Sequence, residues 1–213
     1  MDPFDLIIFD CDGVLADSER LAVRTEAEIL AELGWPLSEA DIVTRFVGRS
    51  AHYMHETLEA HLGRTVDWDL VFETRYHDIF AKELVEVPGV SELLSRVAVQ
   101  TCVASSGSHA GIRYKLQLTG LLPHFEGHIF SAEDVEQSKP APDIFLHAAR
   151  VMGVDPQRCA VVEDSVAGVL AGVSAGMVVF GFSGSVTPAR DLRSAGARVF
   201  DRMSDLAALI ARE

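Results

Sequence analysis

The sequence is poor in cysteine and has no long apolar run. Its three cysteines, Cys11, Cys102 and Cys159, all fall in or beside predicted strands. An odd number of buried thiols does not build a disulfide framework, and it is typical of proteins from a reducing compartment. No apolar stretch approaches the roughly 20 residues of a membrane span, and the first residues lack the basic segment of a signal peptide. We therefore expect a cytoplasmic protein with no membrane partner.

Basic residues are scarce as well. The chain has 18 Lys and Arg against 32 Asp and Glu, which gives a formal net charge of −14. The negative electrostatic field of such a chain repels nucleic acids and anionic lipids, so neither is an expected partner. An anionic substrate would need a local cation to offset this field. Apolar residues are plentiful, at 48% of the 213 residues, and this is enough for one α/β domain with or without a smaller insert. We expect a monomer or a weak homodimer.

Short apolar runs alternate with helical patterns over most of the chain. The first run is apolar throughout, which is typical of a strand buried on both faces of a parallel sheet. Strands that alternate with helices are joined by right-handed crossovers. The predicted fold class is therefore α/β, with a Rossmann-like, doubly wound parallel sheet. The predicted strands are residues 6–9, 97–104, 127–130, 159–162, 178–182 and 198–200.

One block of the chain shows helical patterns alone. No strand pattern occurs between Asp17 and Val87. Residues 34–36, Gly-Trp-Pro, end the first helical segment, and Ser38 stands in an N-cap position with Asp41 three residues later. The pattern predicts a small all-helical domain over 17–86, inserted into a core domain formed by 1–16 and 87–213.

Polar residues gather where the predicted strands end. Because the ends of parallel strands meet at one edge of an open α/β sheet, we expect these side chains to share one pocket. Asp10 and Asp12 alternate along an extended backbone and can face the same way, while Cys11 faces the core. The other members follow later strands of the sheet: Ser105 with its neighbour Ser106, Lys139, Glu163 and Asp164.

The chemistry of this set is consistent with a magnesium site. Two carboxylates ~4 Å apart repel by roughly 4 kcal/mol at an effective dielectric of about 20, and a hard dication with oxygen ligands removes the conflict. Ser105 offers a hydroxyl donor and Lys139 a positive charge for a phosphoryl group. A carboxylate beside the cation can attack phosphorus and form an aspartyl-phosphate.

These residues resemble the four motifs of the haloacid dehalogenase superfamily, in order. Residues 10–15, Asp-Cys-Asp-Gly-Val-Leu, match the first motif, Ser105 the second, Lys139 the third and the Glu163–Asp164 pair the fourth. Segments 12–19, 139–143 and 163–168 resemble the β-phosphoglucomutase-like branch. That branch carries a helical cap between its first two motifs, where this chain has its helical block.

The resemblance implies a role for each matched residue. Asp10 would be the nucleophile and a metal ligand. Asp12 would act first as general acid and then as the base that activates water, while its carbonyl binds the metal. Asp164 would bind Mg²⁺ directly and Glu163 through water. The phosphoryl group would be held by Lys139 and by Ser105, with Ser106 as the alternative serine.

Two positions narrow the implied activity. Dehalogenases of the superfamily lack the second aspartate, which is present here as Asp12. The mutase carries a histidine in the helix after the first motif, at the position of Ala22. We therefore expect a Mg²⁺-dependent phosphatase of a small phosphorylated metabolite, such as a sugar or polyol phosphate. A phosphomutase is the alternative enzyme, and a non-catalytic binding protein is a third possibility.

Simpler interpretations exist for each residue. The aspartates at positions 10 and 12 could be turn residues, Ser105 could cap the next helix, Lys139 could be a solvated loop lysine, and Glu163 could be a surface acid. Within the helical block, Arg49 could reach substrate or stay solvated. His52 and His55 are three residues apart, but without a third ligand they are expected to lie on a solvated helix face.

Overall fold

The computed structural model describes residues 3–47 and 51–211. The chain divides into two compact units, one formed by Met1–Asp17 with Val85–Glu213 and the other by Ser18–Leu84. Within the described ranges, no helix has the length and apolarity that crossing a bilayer requires.

The first unit is built on a parallel sheet. Its strands are β1 (Leu6–Phe9), β2 (Gln100–Ser105), β3 (Ile129–Ser131), β4 (Cys159–Glu163), β5 (Val178–Phe182) and β6 (Arg198–Phe200). They lie in the order β3-β2-β1-β4-β5-β6, and every adjacent pair is parallel. This order is that of a doubly wound sheet, so the predicted fold class is confirmed.

Strand β1 lies at the centre of the sheet because it is apolar on both faces. Ile7 and Phe9 belong to the hydrophobic cluster on one side, and Leu6 and Ile8 to the cluster on the other. All four residues are buried. β1 pairs with β2 on one side and β4 on the other. The strand ends that carry polar residues are therefore neighbours.

Helices cover both faces of the sheet. The α-helices in the described part of the chain are α1 (Ser18–Glu32), α2 (Glu39–Arg45), α3 (Ala51–Leu62), α4 (Thr74–Glu83), α5 (Val90–Arg96), α6 (His109–Leu118), α7 (Leu122–Phe125), α8 (Asp143–Met152), α9 (Val166–Ser174), α10 (Ala189–Ser194) and α11 (Met203–Ile210). Helices α5, α6, α7 and α11 contribute to the cluster that contains Phe9, whereas α8, α9 and α10 contribute to the one that contains Ile8.

Strands β2, β3 and β4 differ from the sequence prediction in their bounds, and β2 and β4 each end one residue later than predicted, at Ser105 and Glu163. β2 begins at Gln100, three residues later than predicted, because the Val97 N–H still bonds the Leu93 carbonyl at 3.1 Å and ends α5. β3 runs from Ile129 to Ser131 rather than over 127–130.

The second unit consists of α1 to α4 and a π-helical turn, Asp69–Glu73. Ser38 caps α2 as predicted, since its Oγ accepts from the Asp41 N–H at 3.2 Å and the Ser38 N–H donates to Asp41 Oδ2 at 3.1 Å. His52 and His55 lie on α3, and each faces a glutamate one turn later at 3.2 Å. His52 is exposed, as expected of a solvated helix face, whereas His55 is half-buried and its Nε2 also lies 2.8 Å from the Val66 carbonyl oxygen.

A short neck closes the first unit where the second is inserted. The Asp17 N–H donates to the Val85 carbonyl at 3.0 Å, and the Val87 N–H donates to the Leu15 carbonyl at 2.9 Å. Ala16 and Glu86 form an antiparallel bridge between these bonds. The outgoing and returning chains are thus held side by side.

Candidate active site

Three strands bring polar side chains to one edge of the sheet. Asp10 directly follows β1, while Ser105 and Glu163 are the last residues of β2 and β4. The Asp10 N–H donates to the Val162 carbonyl at 2.9 Å, which extends the pairing of β1 with β4 beyond the strand. All three polar side chains are buried.

A buried lysine joins these strand ends. The Lys139 ammonium donates to Asp10 Oδ1 at 2.6 Å and to Glu163 Oε1 at 2.7 Å. Its third bond goes to the Ala104 carbonyl at 3.0 Å. An ammonium has three protons, so these acceptors use all of its donors. With 4% of its side chain exposed, Lys139 is not a solvated loop lysine.

The charges of this group depend on one another. Burial raises the pKa of Asp10 to about 7, an effect that Lys139 opposes and that Glu163 and Asp12 reinforce. Burial alone would lower the pKa of Lys139, but Asp10 and Glu163 outweigh it and raise the pKa above the usual lysine value. The two acids therefore favour the charged form of the lysine at this edge.

Glu163 is fixed by the start of the following helix. The Ser165 N–H and hydroxyl both donate to Glu163 Oε2 at 2.9 Å. Ser165 also caps α9, because its Oγ accepts from the Gly168 N–H at 3.0 Å. A Cβ at position 168 would lie 1.7 Å from Glu163 Oε1. Glu163 is 1% exposed and is not a surface acid.

The loop after β1 turns back on itself. Gly13 has a φ of 72°, and its N–H donates to the Ala16 carbonyl at 2.8 Å. Cys11 points into the hydrophobic core, where burial raises the pKa of its thiol. A buried neutral thiol is a core residue and a poor nucleophile, as the sequence indicated.

Asp164 packs against this turn. A Cβ on Gly13 would lie 2.0 Å from Asp164 Oδ2 and 2.7 Å from Ser185 Oγ, so glycine is needed both for its φ and for the close approach. Within the described ranges, the buried Ser185 hydroxyl has no hydrogen-bond partner. An unsatisfied polar atom beside a carboxylate marks a place for a further polar group.

The serine at the end of β2 does not cap the helix that follows. Helix α6 is capped by Ser108, whose Oγ accepts from the Gly111 N–H at 3.1 Å. Ser105 is 1% exposed, and its Oγ accepts from the Gly107 N–H at 3.3 Å. Ser106, the alternative serine, is exposed. Of the two, Ser105 has the position expected of a buried phosphate donor.

A second lysine of the site, which is half-buried, was missed by the sequence analysis. Lys115, on α6, donates from its ammonium to Asp12 Oδ1, and its side chain is 14% exposed. Burial alone would lower the pKa of Lys115, but Asp12 outweighs it and raises the pKa. The sequence did hold a signal, because Lys115 lies three residues after Ile112 and one before Leu116, on the buried stripe of α6.

The acids fit a divalent cation in charge and donor type. Four carboxylates, those of Asp10, Asp12, Glu163 and Asp164, gather at this edge with the ammonium groups of Lys139 and Lys115, so the acids outnumber the lysines. The donors are oxygens, which suit Mg²⁺, and the unsatisfied Ser185 hydroxyl lies beside Asp164. Among residues 3–47 and 51–211, no three acidic, His or Cys side chains stand as a ready-made metal site. Between Asp10 and Glu163 lies the Lys139 ammonium instead.

The remaining predicted residue cannot be placed. Arg49, proposed as a substrate contact in the helical block, lies outside the described residues. The structure therefore brings Asp10, Glu163 and Lys139 into direct contact, pairs Asp12 with Lys115, and sets Asp164 against the turn at Gly13.

Comparison with known proteins identifies the family. A model of the family described as "Hydrolase: haloacid dehalogenase-like hydrolase" matches residues 4–176. This chain belongs to the haloacid dehalogenase-like hydrolases. The resemblance stated from its four motifs is thereby confirmed, and the protein belongs to an enzyme family.

Named relatives of this hydrolase include phosphatases. It is 31% identical to 6-phosphogluconate phosphatase of Escherichia coli over 185 residues, which cover 85% of this chain and 84% of the relative. It is 33% identical to hexitol phosphatase A of Escherichia coli over 181 residues, with 79% of this chain and 78% of the relative covered.

Solved structures agree with the fold. A haloacid dehalogenase-like protein of unknown function from Agrobacterium tumefaciens superposes with a TM-score of 0.90 at 40% identity, over 98% of both chains. A candidate beta-phosphoglucomutase from Thermotoga maritima superposes with a TM-score of 0.79 at 27% identity, over 98% of this chain and 99% of the other. The second match agrees with the branch predicted from the sequence.

Proposed function

We propose that this hydrolase is a Mg²⁺-dependent phosphatase of small phosphorylated carbohydrates, such as sugar, sugar-acid or polyol phosphates. The observation that carries the proposal is the contact of the Lys139 ammonium with both Asp10 and Glu163. It unites a nucleophile candidate, a phosphate-binding cation and a metal-binding acid at one sheet edge. The names of the two phosphatase relatives support the substrate class.

The residues divide the reaction between them. Asp10 attacks phosphorus, so that a bond forms between its carboxylate oxygen and phosphorus while the ester oxygen leaves. Asp12 gives a proton to that leaving oxygen. In the second half, Asp12 takes a proton from water, the water oxygen bonds phosphorus, and the Asp10 carboxylate is released with inorganic phosphate.

The other residues bind and neutralise charge. Lys139 and the Ser105 hydroxyl hold phosphoryl oxygens, as positioned donors do in phosphoryl transfer. Asp10, Asp164, the Asp12 carbonyl and Glu163 would hold Mg²⁺. When bound, the ion supplies positive charge for the phosphoryl oxygens and lowers the repulsion between Asp10 and an anionic substrate.

The helical unit has a separate role in the proposal. We infer that the insert, predicted as residues 17–86, acts as the cap that selects the substrate and that Arg49 contributes to this selection. A cytoplasmic location and a monomeric or weakly dimeric state belong to the same proposal. A lower kcat/KM of Arg49→Ala on its best substrate alone, with p-nitrophenyl phosphate unaffected, would support the role of Arg49.

Phosphate release over a panel of phosphorylated sugars, sugar acids and polyols tests the proposal. We expect several sugar-type phosphates to be hydrolysed in the presence of Mg²⁺ and EDTA to stop the reaction. Asp10→Asn is expected to lower turnover by roughly 10³-fold or more, whereas Asp78→Asn, at an exposed position of α4, leaves it unchanged. Full activity of Asp10→Asn would rule out the mechanism.

A phosphomutase is the second candidate, favoured by the structural similarity to the candidate beta-phosphoglucomutase. Ala22, on α1, stands where the mutase family is expected to carry a histidine. The two activities differ in product, since a mutase returns a sugar 6-phosphate from a sugar 1-phosphate with little free phosphate. We expect free phosphate and sugar in equal amounts.

A further inference from the structure

Lys115 is a half-buried cation that none of the four motifs contains. Its ammonium contacts Asp12 Oδ1 across 103 residues of sequence. The two side chains are 14% and 25% exposed, so the pair is far less hydrated than a surface ion pair. The position lies on the apolar stripe of α6, where a lysine without a buried partner would be costly. The side chain is therefore placed for a specific contact with Asp12.

The backbone that carries Lys115 is held at several points. Ser108 caps the start of α6, and Ile112 and Leu116 are buried on either side of the lysine. The N–H of His109 donates to Glu133 at 2.9 Å, and its ring contacts Asp134 at 2.9 Å. A lysine on such an anchored helix can fix the direction of the carboxylate that it contacts.

We propose that Lys115 is a positioning residue for proton transfer by Asp12. Its ammonium binds Oδ1 of Asp12, so that the proton passed to the leaving oxygen is carried by Oδ2 on a carboxyl group of fixed direction. The proposal rests on the proposed phosphatase function, in which Asp12 protonates the alcohol as the bond between phosphorus and the ester oxygen breaks.

The proposal predicts a dependence on the leaving group. A sugar alkoxide is a poor leaving group and needs the proton, whereas 4-nitrophenolate departs without one. The ratio kcat/KM covers the steps up to the first irreversible one, which is transfer of the phosphoryl group to Asp10. A misdirected Asp12 therefore lowers kcat/KM for a sugar phosphate much more than for p-nitrophenyl phosphate.

The test measures kcat/KM for both substrates in Lys115→Met. Because general acid catalysis contributes roughly 10²–10⁴-fold, we expect a fall of about 10²-fold on the best sugar phosphate and of no more than about threefold on p-nitrophenyl phosphate. Asp12→Asn gives the reference for complete loss of the acid. Lys115→Arg, which keeps the charge with a different donor geometry, is expected to recover part of the loss.

Arg113→Met is the matched control, because Arg113 lies on the same helix but pairs with the exposed Glu126 at 2.9 Å. We expect its kcat/KM to equal that of the unaltered enzyme on both substrates. Lys115→Gln, which stays polar, is measured beside Lys115→Met and must show the same substrate dependence, and the melting temperature of each variant reports folding.

Each other outcome overturns the proposal. An equal fall on both substrates in Lys115→Met and Lys115→Gln would mean that the lysine only stabilises the fold. A raised KM on both, with weaker inhibition by inorganic phosphate, would make Lys115 a phosphate ligand. Either result leaves the proposed function intact if Asp10→Asn is inactive. Phosphate release that survives Asp10→Asn overturns both proposals together.

Discussion

The small residue at position 168 allows a glutamate to sit inside the protein. Gly168 lies in the first turn of α9, and a methyl group there would fall 1.7 Å from Glu163 Oε1 and 2.3 Å from Oε2. The carboxylate cannot retreat freely, because Ser165 and Lys139 hold both of its oxygens. The absence of a Cβ at Gly168 thus leaves the space that the Glu163 carboxylate occupies, where Lys139 also binds it.

Gly168→Ala is expected to displace the Glu163 carboxylate. Overpacking of this kind costs about 1–3 kcal/mol, and the loss of the Lys139 contact should lower phosphatase activity. Urea denaturation gives the free energy of unfolding, and phosphate release gives the activity.

The double variant Glu163→Ala/Gly168→Ala is the control, since it removes the carboxylate that clashes. We expect the added methyl group to cost much less stability in the Glu163→Ala background, because residues in contact are not additive. Equal costs in the two backgrounds would show that the clash is not the cause.

At the scale of elements, helices α1 and α4 share a partly buried polar pair. The Tyr76 hydroxyl donates to Glu26 Oε1 at 2.7 Å. Burial raises the pKa of Glu26 to about 7 from a usual value of 4.5, and the bond from Tyr76 opposes the rise only in part. Phe72 and Phe80 lie on either side of Tyr76, with ring centroids 6.3 Å and 6.1 Å away.

This pair predicts a loss of stability as the pH rises. Because the folded pKa of Glu26 lies above the unfolded one, its favourable contribution is complete below about pH 4.5 and is lost as the pH passes about 7. Glu26→Gln cannot ionise, so we expect it to be more stable than the unaltered protein at pH 8, by about 2 kcal/mol, and to gain little at pH 5. Urea denaturation at both pH values measures the difference.

Glu28→Gln is the matched control on α1, since the Glu28 side chain is 57% exposed. Its effect on the free energy of unfolding should be small and the same at both pH values. A Glu26→Gln variant that gains equally at pH 5 and pH 8 would contradict the assignment of the titration to Glu26.

Elements with a uniform pattern could be predicted from the sequence, and boundaries set by competing contacts could not. Residues 6–9 are apolar and β-branched or aromatic in the main, and β1 spans Leu6–Phe9 as predicted. Val97 is equally apolar, but its N–H is used by α5, so β2 begins later. The short helix α7 was not predicted, because its four residues have no periodicity of their own. The helical pattern of residues 70–84 was predicted, but not the π-helical geometry of its first turn, Asp69–Glu73.

At the scale of the whole molecule, negative charge is in excess, both over the chain and at the candidate site. The chain carries a net charge of −14, and its buried acids exceed the buried lysines at one edge of the sheet. A dication that binds there stabilises the folded state by mass action, since the unfolded chain does not gather these ligands.

Magnesium is therefore expected to raise the melting temperature. At saturating MgCl₂ we expect an increase of roughly 5 °C over NaCl at equal ionic strength, measured by differential scanning fluorimetry without substrate. Asp164→Asn should lose most of this increase. The proposed ligand set is wrong if the two proteins respond to magnesium alike.

The site could be predicted to the extent that strand ends locate it. Asp10, Ser105 and Glu163 follow from the rule that parallel strands end together, and they lie at one edge as expected. Lys115 could not be found in this way, because a lysine within a helix usually faces solvent and its partner is 103 residues distant. The contacts of Lys139 could not be predicted from the sequence, since loop length alone does not fix where an ammonium points.

The neck at Leu15–Asp17 and Val85–Val87 has a consequence for the modularity of the chain. Its backbone bonds join the outgoing and returning chains without any residue of the helical unit, Ser18–Leu84. Segments of other lengths can be grafted at this junction while the order and register of the six strands are preserved. We therefore expect the helical unit to tolerate exchange while the sheet edge that carries Asp10, Ser105 and Glu163 keeps its geometry.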